Sequence, residues 1–312
     1  MSAPSAPTVP VRRSLFGCMM RRLFSPKHLY RMWKISRYPV VRRADNDPQL
    51  KLYARLLPGG FMNYGYFDNP QIDPREMSMN DIQRAQLRHG ELIVDRLSPT
   101  DGPVLDVGCG MGGIVRLLQE RGITPVALSP DINQIEHLRR NYPQVEAIRA
   151  RFEEMPRAGQ QGRFGALVTS ESFQYLDLNI AIPFAAELLR PGGIWIAYDY
   201  FRIGEANERS GHLQADFEAR IAQSPFTIEA VEDHTANVLP MLRYAHMWGD
   251  EVGRPLFDYL CSKIEQKRPR TYYLLQEAIE LAESKIEKNL AVVDADRFAA
   301  SKRYLFYVLR RR

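Results

Sequence analysis

Short apolar runs alternate with amphipathic stretches along most of this chain. A first apolar run begins at Val104, and further runs occupy residues 124–128, 145–150, 164–169, 194–198, 226–232 and 303–309. Between these runs, apolar residues recur every three or four positions, which predicts helices over residues 79–97, 114–121, 131–141, 181–189 and 205–224. Strands that alternate with helices in this way indicate an α/β fold with a mostly parallel sheet.

A long insertion, residues 239–296, separates the last two predicted strands. Apolar spacing within it predicts three helices, over 239–248, 255–267 and 272–290. A tight hairpin would need only a few residues, so we interpret the insertion as a lid over a ligand. The first helix has an apolar face that suits a hydrophobic ligand, but the same face fits ordinary core or a dimer interface. Its residues are Leu239, Met241, Leu242, Tyr244, Met247 and Trp248.

The positive charge is concentrated at the N-terminus. Residues 1–44 contain ten Lys or Arg and no acid, whereas the rest of the chain contains 32 basic and 37 acidic residues. The net charge of +5 therefore belongs to the N-terminal segment, and the body is mildly acidic. A nucleic-acid-binding protein would be expected to have a basic body, so we expect no nucleic acid partner.

The N-terminal segment has three parts with different patterns. Residues 1–10 are mostly Ser, Ala and Pro, which predicts a disordered tail. Residues 11–60 form a basic arm, in which apolar residues at helical spacing predict short amphipathic helices and a further helix covers 45–58. Residues 11–43 suit an anionic membrane surface. Packing on the body or on a second subunit in a homo-oligomer, or an organellar transit peptide, would give the same pattern.

Composition indicates the cellular compartment in which we expect the protein. Hydrophobic residues make up 45% of the chain, enough for a full core, and no run approaches the ~20 apolar residues of a membrane span. The three cysteines, at 18, 109 and 261, have neither metal-ligand spacing nor a disulfide pattern. We therefore expect a cytoplasmic protein without a metal site, peripheral at the inner membrane face if the arm binds lipid.

A glycine-rich turn follows the first apolar run. The segment reads Val104-Leu-Asp106-Val-Gly108-Cys-Gly110-Met-Gly-Gly113 and leads into a predicted helix. Glycines allow a ligand to approach the backbone, and the free N–H groups at a helix start favour electron-rich groups. The spacing also fits a dinucleotide-binding turn, but the second strand ends in Ala127-Leu-Ser without the acid that would hold a ribose. A nicotinamide-dependent oxidoreductase is therefore the weaker alternative.

The glycine segment resembles motif I of the Rossmann-like S-adenosylmethionine-dependent methyltransferases. This resemblance covers residues from about 63 to 312, and the turn Arg190-Pro-Gly-Gly193 before the fifth strand adds to it. It implies a seven-stranded α/β sheet whose last two strands form an antiparallel edge hairpin, with a helical N-terminal extension and a helical lid before the last strand. The methyltransferase domain would comprise 61–238 and 297–312. S-adenosylmethionine would lie over Gly108 and Gly110, near Asp106.

Two further segments extend the resemblance, the first to small-molecule and lipid methyltransferases and the second to their cyclopropane-synthase, sterol and tocopherol branch. The stretch Asn63-Tyr64-Gly-Tyr66 is similar to a segment whose aromatic ring closes over the sulfonium, a favourable cation–π arrangement. A core aromatic cluster would give the same stretch. Ser129 and Gln134 match the hydroxyl and amide that contact the ribose in that branch, although Ser129 could instead cap the following helix.

The ends of the third and fourth strands extend the same resemblance. Phe152 and Glu153 match an aromatic–acid pair that holds adenine, and a solvated surface turn is the structural alternative. Ser170 and Glu171 match the segment that faces the methyl group and the acceptor. Tyr175 stands where the branch has a histidine, so the carbocation chemistry of the branch is not implied here.

Glu171, His234 and Tyr175 are the candidate catalytic residues, with His89 as a further base. His234 follows the sixth strand directly, but a hydrogen-bonded structural histidine would fit that position as well. The sequence therefore predicts a S-adenosylmethionine-dependent methyltransferase that acts on a small or lipid-like hydrophobic acceptor at a C, O or N atom. A catalytically inactive, membrane-associated scaffold of the same fold is an alternative beside the oxidoreductase.

Overall fold

The structure is a computed structural model that describes Met20 and residues 24–36, 59–204 and 210–312. The predicted tail, most of the basic arm, the predicted helix over 45–58 and Cys18 lie outside the described residues. Within the arm, helix α1 covers Pro26–Ser36. Its exposed Tyr30 and Trp33 and its basic Lys27, Arg31 and Lys34 confirm a short amphipathic helix there. In the described ranges, no helix is both long and apolar enough to cross a membrane.

Seven strands in the described part of the chain form one mixed sheet, as the resemblance implies. They are β1 Val104–Val107, β2 Pro125–Ser129, β3 Glu146–Arg149, β4 Phe164–Ser170, β5 Leu189–Arg202, β6 Phe226–Asp233 and β7 Lys302–Arg311. The order across the sheet is β3-β2-β1-β4-β5-β7-β6. The first five strands are parallel, and β7 runs antiparallel to both of its neighbours. The predicted antiparallel hairpin at the sheet edge is therefore confirmed. Strand β6 is the edge strand, and β7 lies between β6 and β5.

Helices cover both faces of the sheet. They are α2 Met79–Val94, α3 Gly113–Glu120, α4 Ile132–Asn141, α5 Leu178–Leu188, α6 Gln214–Ala222, α7 Thr235–Trp248, α8 Arg254–Lys267, α9 Pro269–Val292 and α10 Ala295–Ser301. In β1, Val104 packs against α2 and α3, whereas Leu105 belongs to the core cluster with α5 and α6. Because both faces are covered, the central strands read as continuous apolar runs instead of alternating ones.

Several predicted boundaries were wrong for local reasons. Strand β5 begins at Leu189, because the predicted turn Arg190–Gly193 is a register shift inside the strand, which pairs with β4 on both sides of it. Helix α5 begins at Leu178, where the Asp177 side chain accepts a hydrogen bond from the Asn179 amide. The N-cap of α4 is Asp131 and not Ser129, because the Asp131 carboxylate accepts from two amides of the first turn.

The insertion after β6 divides into two differently placed parts. Helix α7 packs on the body. Leu242 is buried in the hydrophobic cluster that contains Val104, and Leu239 packs against the same cluster. Met241 and Tyr244 pack against a second cluster, which contains Phe67. The apolar face of the first insertion helix is thus largely core. Helices α8 and α9 pack against each other as an antiparallel hairpin with only Arg268 between them. The lid role of residues 239–296 stays a prediction.

Gly112 provides a stability prediction for the glycine turn. Its φ is +88°, and a Cβ atom there would lie 2.7 Å from Leu138 Cδ2 and 2.9 Å from Tyr142 Cε2. We expect Gly112→Ala to lower the free energy of unfolding by roughly 3 kcal/mol, from backbone strain and overpacking together. Urea unfolding measures this. The control is Gly122→Ala, where φ is +71° but no atom lies within 4 Å, so only the strain, roughly 1 kcal/mol, should appear. Equal losses would contradict the packing argument.

Candidate active site

The glycine turn lies at the carboxyl end of β1, at the centre of the sheet. Gly108 and Gly110 have φ values of +78° and +56°, which side chains disfavour. The loop that precedes α2 closes over the turn, since the Gly113 amide donates to the Gly60 carbonyl at 3.2 Å. A Cβ atom at Gly108 would lie 2.5 Å from Ser172 Cβ. The turn therefore has room for backbone approach but none for a side chain.

Asp106 is a buried carboxyl group in the last part of β1. Its side chain is 1% exposed, and its Oδ2 atom has no hydrogen-bond partner among the described residues. Burial raises the pKa of Asp106 to about 7. A buried oxygen without a partner costs free energy, so such an atom at the edge of a glycine turn fits the place of a ligand's donor group.

Ser129 and Gln134 lie one strand away, at the carboxyl end of β2. Ser129 Oγ donates to Gln134 Oε1 at 2.6 Å and accepts from the Asp131 amide at 3.1 Å. Both side chains are buried. The two predicted ribose contacts are therefore brought together and bound to each other, next to the strand that carries Asp106.

The predicted adenine pair makes contacts within the protein. Phe152 is 3% exposed, and its ring packs on Phe184 with the centroids 5.2 Å apart. Glu153 Oε1 accepts from the Asp177 amide at 2.9 Å, just before α5. These contacts favour a structural role for both side chains, and their contact with adenine stays a prediction.

Glu171 joins the end of β4 to two other parts of the chain. Its φ is +52°, and among the described residues it is the one non-glycine residue in the left-handed region. Its Oε1 atom accepts from the Tyr64 amide at 2.7 Å and from the Tyr304 hydroxyl at 2.6 Å. Burial raises the pKa of Glu171 to about 7, although these two hydrogen bonds oppose the rise. A strained backbone and a carboxyl that titrates near neutral pH are typical of a functional site.

A chain of polar contacts runs beside Glu171 and includes two histidines. Ser170 Oγ lies 2.8 Å from His89 Nε2, and the His89 ring stacks on Tyr198 at 4.1 Å. The Tyr198 hydroxyl lies 2.8 Å from His234 Nδ1. Burial lowers the pKa of His89 to about 3, so this histidine is neutral.

His234 is therefore held at both ring nitrogens, because its Nε2 atom lies 3.3 Å from Glu232 Oε2. It contacts Tyr198 and not Glu171. These contacts favour the structural alternative that the sequence left open. Tyr175, the third candidate, is 78% exposed on the surface beyond β4. Of the three predicted catalytic residues, Glu171 is the one that lies directly at the carboxyl end of β4 with its carboxyl group held by other parts of the chain.

The two predicted cofactor tyrosines diverge from each other. The Tyr64 ring lies 6.0 Å from the Tyr304 ring and 6.4 Å from that of Phe298, on the Glu171 side. The Tyr66 ring instead meets His234 edge-on at 4.9 Å. Tyr64 thus belongs to a row of rings beside Glu171, Tyr304, Tyr64, Phe298 and Tyr200, which we call the aromatic wall. Tyr66 belongs to the contacts of His234.

Sequence reasoning missed Tyr304 and the role of Ser172. Tyr304 lies on β7, where Tyr304, Phe306 and Val308 alternate with residues that face the other side, so the period of two could have shown which side Tyr304 faces. The Ser172 hydroxyl donates to the Val107 carbonyl at 2.5 Å and fixes the loop after β4 against the glycine turn. No sequence pattern indicates the contact between Ser172 and the Val107 carbonyl.

The strand order, the reversed β7 and the glycine turn after β1 define the class of Rossmann-like methyltransferase folds. Residues 104–193 match the family described as a methyltransferase domain. S-adenosylmethionine is the cofactor of this class. Among the described residues, no three His, Cys, Asp or Glu side chains are grouped as metal ligands.

Curated relatives are similar mainly in this central part. An uncharacterized methyltransferase of Mycobacterium tuberculosis is 34% identical over 109 residues, which cover 34% of this chain and 44% of that protein. The chain thus spans less than half the length of that relative. A phthiotriol/phenolphthiotriol dimycocerosates methyltransferase of Mycobacterium ulcerans is 24% identical over 258 residues, which cover 78% of this chain and 90% of that protein.

Solved structures share the fold over most of the chain. Geranyl diphosphate C-methyltransferase from Streptomyces coelicolor, in complex with Mg²⁺, geranyl diphosphate and S-adenosyl-L-homocysteine, has a TM-score of 0.62 at 16% identity, covering 87% of this chain and 96% of that one. A mycolic acid cyclopropane synthase complexed with S-adenosylhomocysteine has a TM-score of 0.59 at 15% identity, covering 84% and 95%. These similarities confirm the fold class.

The residues at the glycine turn fit S-adenosylmethionine. The unpartnered Asp106 oxygen is an acceptor of the kind that an ammonium group needs, and the glycines of the turn place no Cβ atom over its backbone. Tyr64 supplies an aromatic ring beside the same edge, although its contact with the sulfonium is a prediction. The structure therefore has an acid and a turn of the kind that this cofactor needs.

Proposed function

We propose that this chain transfers a methyl group from S-adenosylmethionine to a small or lipid-like hydrophobic acceptor. One observation carries the proposal: the buried Asp106 and the half-buried Glu171 lie at the carboxyl ends of the neighbouring strands β1 and β4. In open α/β sheets, ligands bind at this edge. One carboxyl group suits the cofactor, and the other lies one strand farther along, where an acceptor would be held.

Each side chain has a separate part in the proposed reaction. Bound S-adenosylmethionine supplies an activated methyl group. Ionised Asp106 holds the ammonium end, and the glycine turn accepts the rest of the amino-acid portion. Glu171 and Tyr304 hold the loop of Tyr64 in place and so keep water from the cleft. The second oxygen of Glu171 takes a proton from the acceptor when the acceptor atom must lose one.

The aromatic wall supports a hydrophobic acceptor. Four rings follow one another in contact from Glu171 outward: the Tyr304 ring meets that of Tyr64, Tyr64 meets Phe298, and Phe298 meets Tyr200. One relative that covers most of the chain is named as a methyltransferase of phthiotriol and phenolphthiotriol dimycocerosates. Both observations favour a lipid-like acceptor over a charged one. They do not distinguish a C, O or N acceptor atom.

The two alternative functions have less support. A dinucleotide-binding sheet of the 3-2-1-4-5-6 order is all parallel, whereas here β7 runs antiparallel between β5 and β6. An inactive scaffold would have no need for an unpartnered buried carboxyl oxygen, which costs stability.

Methyl-labelled S-adenosylmethionine tests the proposal directly. The purified chain is incubated with it and with isoprenoid alcohols, fatty acyl lipids or aromatic metabolites, and the organic phase is counted. We expect label in the organic phase with at least one acceptor class. Asp106→Asn protein is the control for background transfer. Tight binding of the cofactor without transfer to any class would instead favour the inactive scaffold.

A further inference from the structure

The α8–α9 hairpin carries two chemically different sides. The residues by which its helices pack together are half-buried: Phe257, Cys261 and Ile264 in α8, and Leu275, Ile279, Ala282 and Ile286 in α9. The residue before each of these lies about 100° to one side of the contact, and the residue after it lies about 100° to the other. Because two antiparallel helices are related by a local twofold axis, the preceding positions of both helices lie on the same side of the hairpin.

The positions that come one residue before the packing residues are apolar or basic. We call them, with Lys267 one turn after Lys263, the basic–apolar side: Leu256, Leu260, Lys263, Lys267, Leu274, Ala278, Leu281 and Lys285. Leu256, Leu274 and Leu281 are 55%, 64% and 72% exposed, which is unusual for leucine. In the part of the chain that the structure describes, none of the three lysines forms an ion pair.

The positions that come one residue after the packing residues are mostly acidic. Five of them are exposed carboxylates: Asp258, Glu265, Glu280, Glu283 and Glu287. Three of these line a groove between the helices, together with Arg254. Among the positions that flank the packing residues, the acids thus lie on one side of the hairpin, and the lysines and exposed leucines lie on the other. A hairpin with solvent on both sides has no need of such a division.

We propose that the basic–apolar side docks on an anionic lipid bilayer surface. Leucines at an interface enter the boundary between headgroups and acyl chains, and lysines extend along them toward lipid phosphates. The acidic side then faces water, away from the negative surface. A second copy of this chain fits less well, because a symmetric contact would bring lysines against lysines with no acid on that side.

The docking does not depend on the proposed methyl transfer, but it would bring the membrane close to a part of the chain that leads to the candidate site. Helix α9 leads into α10, whose Phe298 contacts Tyr64 beside Glu171. The hairpin therefore continues directly into the aromatic wall.

Vesicle sedimentation of the full chain tests the docking. Vesicles of phosphatidylcholine with phosphatidylglycerol are compared with vesicles of phosphatidylcholine alone. The test variant is Lys263→Gln, Lys267→Gln, Lys285→Gln, and the matched control loses three exposed charges elsewhere: Arg139→Gln, Arg140→Gln, Arg149→Gln. Each lysine near an anionic surface contributes severalfold to partitioning, so we expect the test variant to lose about tenfold or more. The control should stay within about twofold of the wild type.

Three outcomes would overturn the docking. If both triple variants lose binding equally, net charge alone attracts the chain. If the lysine variant binds like the wild type, the N-terminal arm or another surface accounts for binding. A third variant, Leu256→Ser, Leu274→Ser, Leu281→Ser, changes only exposed side chains and should weaken binding to anionic vesicles. If it instead dissociates a dimer in ultracentrifugation and leaves vesicle binding unchanged, a second copy covers this side.

Discussion

Replacing Asp106 by Asn will abolish cofactor binding and at the same time stabilise the fold at alkaline pH. The variant keeps the shape of the side chain but removes the charge that would hold the ammonium group of S-adenosylmethionine. Breaking a buried charge pair of this kind typically costs 3–5 kcal/mol, so we expect the cofactor affinity to fall by at least about 100-fold. Calorimetric titration at pH 8 measures the loss.

The gain in stability follows from the pKa of the buried acid. Its folded value of about 7 lies above the unfolded value of about 3.9. The folded state therefore retains a proton that the unfolded state has lost, and this contribution to stability disappears as the pH rises through 7. At pH 8 the ionised Asp106 costs on the order of 4 kcal/mol relative to a neutral group.

We therefore expect Asp106→Asn to melt several degrees above the wild type at pH 8. At pH 5 the folded Asp106 is protonated but most unfolded chains have lost this proton, so the difference in stability should shrink to about 1.5 kcal/mol, and this comparison is the internal control. A variant that binds the cofactor normally would contradict the assignment of Asp106. A variant that is destabilised equally at both pH values would contradict the buried, unpartnered state of the carboxyl group.

Glu171→Gln will lower turnover far more than cofactor affinity. The amide oxygen of Gln can still accept from the Tyr64 amide and the Tyr304 hydroxyl, so the loop over the site stays in place. The carboxylate that would take a proton is gone, and general bases contribute typically 10²- to 10⁴-fold. We expect a fall in kcat of about that size, with the dissociation constant of S-adenosylmethionine changed by less than about threefold.

Tyr304→Phe is the companion variant for Glu171. Its hydroxyl lowers the pKa of Glu171, so its removal should move the acidic limb of the kcat–pH profile to higher pH while activity is retained at alkaline pH. Equal losses of turnover and cofactor affinity in Glu171→Gln would make Glu171 a binding residue. An unshifted pH profile in Tyr304→Phe would mean that Glu171 does not titrate in the rate-limiting step.

The sheet could be predicted because its central strands are buried on both faces. Such strands read as apolar runs, and the glycines after Val107 and the acids after β4 stand at strand ends, where a parallel sheet gathers its site. The predicted positions of Asp106 and Glu171 at this edge agree with the structure. The amphipathic periods of the helices were equally readable, with errors of a few residues at most of their ends. The helix predicted over 205–224 was wrong at its start, because the described helix α6 begins only at Gln214.

Other features depend on contacts between distant parts of the chain. Arg190–Gly193 reads as a turn, but pairing of β5 with β4 on both sides keeps it inside a strand. Ser129 and Asp131 both have an oxygen that could cap α4, and only the helix geometry shows that Asp131 does so. The Tyr304–Glu171 hydrogen bond joins residues far apart in sequence, so the register of β7 on β5 determines it.

Calorimetric titration of the purified chain with S-adenosylmethionine, and separately with NADH, tests the central claim most directly. The account predicts saturable binding of one S-adenosylmethionine per chain at pH 8, weakening as the pH falls below 7 and Asp106 takes up a proton. It predicts no binding of NADH. Binding of NADH, or of neither compound, would contradict the account.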